Sequence, residues 1–213
     1  TSRGLGDVYK RQLQTLLLGD YMLFGTDGIR GEVVDSPSDD EQAISQLLDH
    51  RMISARLMRV VGEALTRVAG MDNTVIIGWD DRPRNNELVA ALTVGLHLGG
   101  CKVIHAGVCA TPGLHNSLFE TNSSLGCMIT ASHNPVSDSG IKVFDTMGFK
   151  TNPDLEREIS ELVVQLAVEE REVDRSELAE LEKPDSIFDA DLAHQKLLKI
   201  RYHEFSEILA PIS

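Results

Sequence analysis

The sequence has 213 residues, 42% of them hydrophobic and 25% charged, a soluble globular profile with room for one domain and a tail. A formal net charge of −13 argues against nucleic acid or an anionic membrane as a partner, though not against a small anion held by a local Arg/Lys cluster. Cys101, Cys109 and Cys127 lie in or beside apolar runs, with no C-x-x-C or His/Cys zinc spacing, and read as reduced, buried thiols of a cytoplasmic protein.

In chain order, Ser2–Gln12 reads S-R-G-L-G-D-V-Y-K-R-Q. This resembles the translation of a transposon-end adapter used in DNA library preparation, so residues 1–12 are set aside as an artefact. Residues 13–21 form an uncertain leader, with Met22 a candidate natural start; Leu16-Leu17-Leu18 is too short for a signal core or a membrane span. Phe24–Val34 opens with a Gly-rich polar turn in which Gly25, Gly28 and Gly31 permit tight backbone paths near a ligand. Arg30 supplies a forked cation suited to phosphate, with a plain turn and a surface Arg as the simpler alternative. Asp35–Asp40 reads as a polar loop. Apolar residues from Ile53 to Val68 recur at helical spacing and predict a helix over Met52–Ala69, ended by Gly70.

Asp72-Asn73 turns the chain into a buried strand, Thr74–Ile77. Gly78–Asn86 is then a strand-end loop with Asp80, Asp81, Arg82 and Arg84. Neighbouring carboxylates in a turn seldom converge on one ion, so solvated or Arg-paired acids are expected there. A helix over Glu87–Leu98 ends at Gly99-Gly100, a strand spans Lys102–Ala106, and Thr111-Pro112 opens a helix through Phe119, where proline's missing N–H costs nothing. His97, His105 and His115 share no metal spacing and read as packed or surface residues.

Leu125–Ile129 is a short apolar run, read as a buried strand, that stops at T-A-S-H-N-P, Thr130–Pro135. Pro135 cannot continue a ladder, and a second strand follows at Ile141–Phe144. Ser132 is therefore held on a loop at a strand end, where open α/β sheets place ligand sites. Around it stand the imidazole of His133, the amide of Asn134 and, after Ser139-Gly140, the ammonium of Lys142. A hydroxyl with a base and a fixed cation nearby can carry a group covalently. A phosphoryl group would add a charge of about −1.5 to −2, which Lys142 would help hold. On spacing alone, an ordinary turn with a proton-sharing Ser-His pair accounts for the same residues. Beyond it, Asp154–Glu170 reads as a helix, Glu169–Asp185 as an acidic linker and Phe188–Leu209 as a final helix. The alternation predicts a three-layer α/β/α domain with a mixed, mostly parallel sheet over residues 22–168, followed by an acidic linker and helix over 169–213.

T-A-S-H-N-P followed by Gly140-Ile141-Lys142 resembles the phosphoserine loop of the α-D-phosphohexomutases. Phe24–Gly31, F-G-T-D-G-I-R-G, resembles the N-terminal signature of the bacterial phosphoglucosamine mutase branch. Gly78-Trp79-Asp80-Asp81-Arg82 resembles the family's G-x-D-x-R turn. It departs at Asp81 and at Arg84, where a Ser is usual, leaving Asn85 or Asn86 to cap the next helix. Order and approximate spacing agree, from about Met22 to the end of the chain.

The resemblance implies the first of four domains around one cleft. Phosphorylated Ser132 would donate to a hexose monophosphate and take the other phosphoryl group back from the resulting hexose bisphosphate. Arg30 and Lys142 would be its electrostatic partners, His133 a proton-transfer or phosphate contact, and Thr130, Asn134 and Arg82 substrate or phosphate ligands. Mg²⁺ would bind Ser132 through its phosphate oxygen, with carboxylates from a second domain. Asp189-Ala190-Asp191 lacks the glycines, third Asp and Arg of that domain's metal loop and reads as a helix start. The expected substrate is a phosphosugar, with no nucleic acid and no membrane. Glucosamine 6-phosphate and glucosamine 1-phosphate come first, and phosphomannomutase or phosphoglucomutase chemistry second. The chain reads as a fragment, inactive alone; a naturally short chain would instead be a non-catalytic phosphosugar-binding or interaction domain.

Overall fold

The computed structural model describes residues 22–171 and 173–208; the expectations for residues 1–21 and for Leu209 lie outside them. Seven strands form one sheet: β1 Ile29–Val33, β2 Met52–Ile53, β3 Thr74–Trp79, β4 Lys102–Val108, β5 Leu125–Ile129, β6 Asp138–Phe144 and β7 Ser186–Ile187. Their order is β2-β1-β6-β5-β3-β4-β7. Only β6 runs antiparallel to its neighbours, β1 and β5; the other pairs are parallel, so the sheet is mixed and mostly parallel, as the sequence predicts.

The helices are α1 Asp40–His50, α2 Ala55–Ala69, α3 Asn85–Leu98, α4 Thr111–Glu120, α5 Pro153–Glu169, α6 Arg175–Leu181 and α7 Ala190–Ile208. Alternation along the strands assigns them to two layers. Val75, Ile77, Cys127, Ile129, Ile141 and Val143 join the apolar cluster of α1, α2, α3 and α5. Ile76, Ala106 and Met128 join the smaller one under α4 and the start of α7. No described helix is long and apolar enough to cross a membrane.

Helix α2 is the spine of the larger layer. Ser54 Oγ caps it by accepting the Leu57 N–H at 3.3 Å, and it crosses α3 at Gly62 and Gly95. A Cβ on Gly95 would stand 2.0 Å from the Arg59 carbonyl oxygen and 2.9 Å from Gly62 Cα. Gly95→Ala is therefore expected to destabilise the fold by about 2 kcal/mol, because overpacking against backbone outweighs the roughly 1 kcal/mol by which alanine favours a helix. A chemical-denaturation midpoint equal to or above that of the wild type would contradict this.

Several boundaries differ from the sequence reading. Helix α1 begins at Asp40, the last residue of the expected Asp35–Asp40 loop, and is capped by Asp39, whose carboxylate accepts the Gln42 N–H at 2.8 Å. The helix expected from Met52 starts at Ala55, because Met52 and Ile53 pair with β1 as β2. Strand β6 begins at Asp138, three residues before the expected strand. The N-cap of α3 is Arg84, with no side-chain cap bond, so neither Asn85 nor Asn86 caps it.

The acidic linker contains α6 and leads directly into β7, and it is docked. His97 Nδ1 lies 2.7 Å from the Leu181 carbonyl oxygen, and its Nε2 lies 3.0 Å from Asp185 Oδ2. Asp185 also accepts the Val103 N–H at 2.7 Å. Burial raises the Asp185 carboxyl, but the Val103 N–H and His97 outweigh it and hold it below its ordinary value. His105 is a packing residue: burial drives it down to about 4, and it meets Thr93 Oγ1 at 2.8 Å and the edge of Trp79. Burial likewise pushes the thiols of Cys101 and Cys109 up to about 11 and that of Cys127 to about 12, so all three stay protonated and inert near neutral pH.

Candidate active site

Ser132 stands just past the carboxyl end of β5, on the turn that leads into β6. It is exposed, and its backbone is left-handed, with φ of 55°. A non-glycine residue in that conformation costs on the order of 1 kcal/mol or more and persists only where its surroundings enforce it. Here they do so through buried and half-buried polar groups. The Ser132 N–H donates to Thr130 Oγ1 at 2.9 Å, and the Thr130 hydroxyl donates to Asp80 Oδ2 at 2.6 Å. Asn85 Nδ2 donates to Asp80 Oδ1 at 2.5 Å, while its Oδ1 accepts from Ser139 Oγ, also at 2.5 Å.

Arg82 closes the frame. Its guanidinium donates to the carbonyls of Ser132 at 2.7 Å, Asn134 at 3.1 Å and Asp138 at 2.7 Å, and also to that of Pro135. Its Nε pairs with Asp80 at 3.2 Å. One planar fork thereby spans the whole Ser132–Asp138 turn, a task for which a lysine lacks the geometry. Thr130 and Arg82, both read from the sequence as substrate or phosphate ligands, spend these bonds on the loop that presents Ser132. Asn134 does likewise, donating to Asp138 Oδ2 at 3.0 Å.

The cations come from the neighbouring strands. Arg30 on β1 faces Gly140 on β6, and a Cβ on Gly140 would stand 2.8 Å from Arg30 Cγ and 2.1 Å from the Ile29 carbonyl oxygen. The Ser-Gly step before Lys142 therefore gives Arg30 its path to the site. Arg30 NH2 donates to Ser132 Oγ at 3.2 Å and NH1 to the Ala131 carbonyl at 3.4 Å. Lys142, on β6, places Nζ 3.0 Å from Asp27 Oδ2, and Arg30 NH2 bonds the same oxygen. Lys150 Nζ donates to the Thr26 carbonyl at 2.7 Å and pairs with Glu156 at 3.3 Å. Partial burial raises the Asp27 carboxyl, but Lys142, Arg30 and Lys150 outweigh it and hold it below its usual value. An acidic chain thus concentrates positive charge beside one exposed hydroxyl. His133 is also exposed, and among the described residues no hydrogen bond or ion pair engages its ring.

Of the sequence-predicted residues, Ser132, His133 and Asn134 stand exposed on one turn, Arg30 reaches Ser132 Oγ and meets Lys142 at Asp27, and Thr130, buried, supports the turn with Arg82. Sequence reasoning missed Asp27 and Lys150; the signal for Asp27 was a carboxylate three positions before Arg30 inside F-G-T-D-G-I-R-G. Metal ligands are a different matter. Among the described residues, no group of three or more His, Cys, Asp or Glu side chains converges. Asp27, the carboxylate that meets Arg30 and Lys142, is taken by them, and Asp80 by Thr130, Arg82 and Asn85. These residues do not fit a divalent-cation cage. Asp189 accepts the Leu192 N–H at 2.9 Å at the head of α7, the helix start expected of it.

A family model for phosphoglucomutase/phosphomannomutase, alpha/beta/alpha domain I, matches residues 21–169. The chain is 40% identical over 146 residues to a phosphoglucosamine mutase of Listeria welshimeri, covering 68% of this chain and 29% of that protein. It is 37% identical over 141 residues to the phosphoglucosamine mutase of Synechococcus elongatus, covering 64% and 26%. Among solved structures, a putative phosphomannomutase from Thermus thermophilus superposes with a TM-score of 0.59 at 22% identity, covering 85% of this chain and 36% of that one; this likeness speaks to the fold. The chain spans less than a third of the length of the phosphoglucosamine mutases it matches.

Proposed function

The chain belongs to the phosphoglucomutase/phosphomannomutase family, and from that premise we propose that Ser132 is the phosphoryl carrier of a phosphohexomutase. The reaction we assign to the whole enzyme interconverts glucosamine 6-phosphate and glucosamine 1-phosphate through a hexose bisphosphate. The observation that carries the reading is the exposed Ser132 Oγ, held in a left-handed turn, 3.2 Å from a guanidinium that a strand fixes in place. Similarity to phosphoglucosamine mutases, from 37% to 40% identity, favours the amino sugar over glucose or mannose.

The chemistry then divides between two half-reactions. In the first, a sugar hydroxyl attacks the phosphorus on Ser132; a new O–P bond forms, the P–Oγ bond breaks, and the proton lost by the sugar hydroxyl is available to return to Oγ. In the second, Oγ attacks the other phosphate of the bisphosphate, the P–O bond to the sugar breaks, and the proton lost by Oγ is available to the leaving sugar oxygen. Positioning and charge stabilisation do most of the work in phosphoryl transfer. The rigid Ser132 turn supplies the first, and Arg30 and Lys142 supply the second. His133, exposed and unengaged beside Oγ in sequence, is suited to proton transfer or phosphate contact. Mg²⁺, which the family relation implies, would neutralise charge on the phosphoryl group. The described residues lack a carboxylate set for it, so no step here runs through it.

The test is intact mass and peptide mapping after incubation with a hexose 1,6-bisphosphate. Phosphate is expected on Ser132, whereas the 213-residue polypeptide alone, given Mg²⁺ and bisphosphate, should show no mutase turnover. Phosphate found only elsewhere, with Ser132 always bare, would sink the carrier role and bring forward a non-catalytic phosphosugar-binding domain.

A further inference from the structure

The cations beside Ser132 are already occupied, and the occupant is a carboxylate. Asp27 Oδ2 lies 3.0 Å from Lys142 Nζ and also accepts from Arg30 NH2, the same nitrogen that reaches Ser132 Oγ at 3.2 Å. A phosphoryl group on Oγ would turn its oxygens toward that nitrogen and toward the Lys142 ammonium, the ground that Oδ2 now holds. Two anions crowding the same donors repel one another, so carboxylate and phosphoryl group compete.

We infer that Asp27 is an electrostatic placeholder, which holds Arg30 and Lys142 in position while Ser132 is bare and yields them when the phosphoryl group arrives. The mounting of the three groups decides which of them moves. Arg30 and Lys142 sit on paired strands, with side chains 17% and 14% exposed. Asp27 sits on a turn closed by the Gly25 N–H to the Gly28 carbonyl at 2.8 Å, and its side chain is 48% exposed. Among the described residues its two ion-pair partners are these same cations. Water therefore stands ready for the displaced carboxylate, while the strands keep the cations where they are.

The device suits a carrier that must load and unload in every cycle. With Asp27 in place, two cations do not face each other uncompensated when Oγ is bare. When Oγ is phosphorylated, the competing carboxylate weakens their grip on the phosphoryl group. Both effects bring the bare and loaded states closer in free energy, so that transfer in either direction stays accessible.

The purpose of the device rests on the phosphoserine reading, but its test does not. Sulfate, a dianion of phosphate-like geometry, is titrated into the wild-type chain and into Asp27→Asn at constant ionic strength, by calorimetry or by the amide shifts of Ser132 and His133. Asp27→Asn keeps the side-chain shape, removes the competing charge and should bind sulfate about tenfold more tightly, the scale set by one like charge a few ångströms from a dianion near a protein surface. Equal or weaker binding would overturn the inference, because a carboxylate that merely oriented the cations would be missed rather than displaced. Absence of saturable sulfate binding in both forms would overturn it too. Asp27→Ser, which keeps a turn-compatible side chain, repeats the comparison if the first variant unfolds. Tighter sulfate binding together with a permanently bare Ser132 would sink the carrier role and leave the placeholder standing.

Discussion

Ser132→Ala is expected to lower mutase turnover by at least about 10³-fold in any catalytically competent form of this protein, and to abolish phosphate incorporation from a hexose 1,6-bisphosphate. A factor of 10³ corresponds to roughly 4 kcal/mol of barrier, a modest demand when the covalent carrier itself is removed. The fold should barely notice. Ser132 is exposed, its hydroxyl takes part in one bond among the described residues, from Arg30 at 3.2 Å, and alanine has the same Cβ to carry through a φ of 55°. A stability loss below about 1 kcal/mol is therefore expected. Ser132→Gly sharpens the point: it relieves the left-handed strain and should be slightly more stable than the wild type while equally inactive. The comparison separates carrier from scaffold, since a structural serine would lose stability and activity together. Steady-state kinetics and thermal unfolding on the two variants decide it. Retention of more than a tenth of wild-type turnover by Ser132→Ala would end the phosphoserine reading.

Much of this site was legible in the sequence because its key residues are local. The apolar run Leu125–Ile129, the proline that breaks it and the polar residues between them mark a strand-end loop without any tertiary knowledge. Helices with dense apolar stripes, such as α2 and α5, were legible for the same reason. Elements that exist through partners were not. Strand β1 reads I-R-G-E-V, with little strand character of its own, and is held by β6 and β2. Strand β7 is two exposed residues, Ser186 and Ile187, paired to the edge of β4, and nothing in an acidic segment announces that edge. Arg84, a departure from the family pattern, turns out to bind the Val33 carbonyl at 3.2 Å and to pair with Asp35 and Glu87. The buried polar role beside it falls to Asn85, through Asp80, Ser139 and the Ile129 carbonyl. Arg82 shows the limit most clearly. The family resemblance assigns Arg82 to the substrate or its phosphate, and the sequence alone anticipates its pairing with a neighbouring acid such as Asp80. Its other partners are backbone carbonyls some fifty residues away, and since every residue owns a carbonyl, no sequence pattern points to them.

That distinction yields the second large expected effect. Arg82→Lys keeps the charge but replaces a five-donor fork with a single ammonium, which cannot reach the Ser132, Asn134, Pro135 and Asp138 carbonyls together while pairing with Asp80. Charge-assisted hydrogen bonds at a side chain only 11% exposed are lost, and a stability decrease of about 2–4 kcal/mol is expected. The turn then presents Oγ loosely, and misplacement on the scale of an ångström costs about 10²-fold in kcat. A phosphate-binding Arg82 would behave differently: the conservative lysine would act mainly on substrate affinity and leave the turn ordered. Amide hydrogen exchange reads the difference directly, because the turn carries its own internal bonds, the Asn134 N–H to the Ala131 carbonyl at 3.1 Å and the Asp138 N–H to the Pro135 carbonyl at 3.0 Å. If Arg82 organises the turn, both amides lose protection in Arg82→Lys while the strand amides of β3 keep theirs. If both stay protected and the defect appears in KM alone, Arg82 belongs to the substrate, and the left-handed serine must be held by the Thr130–Asp80–Asn85 chain without it.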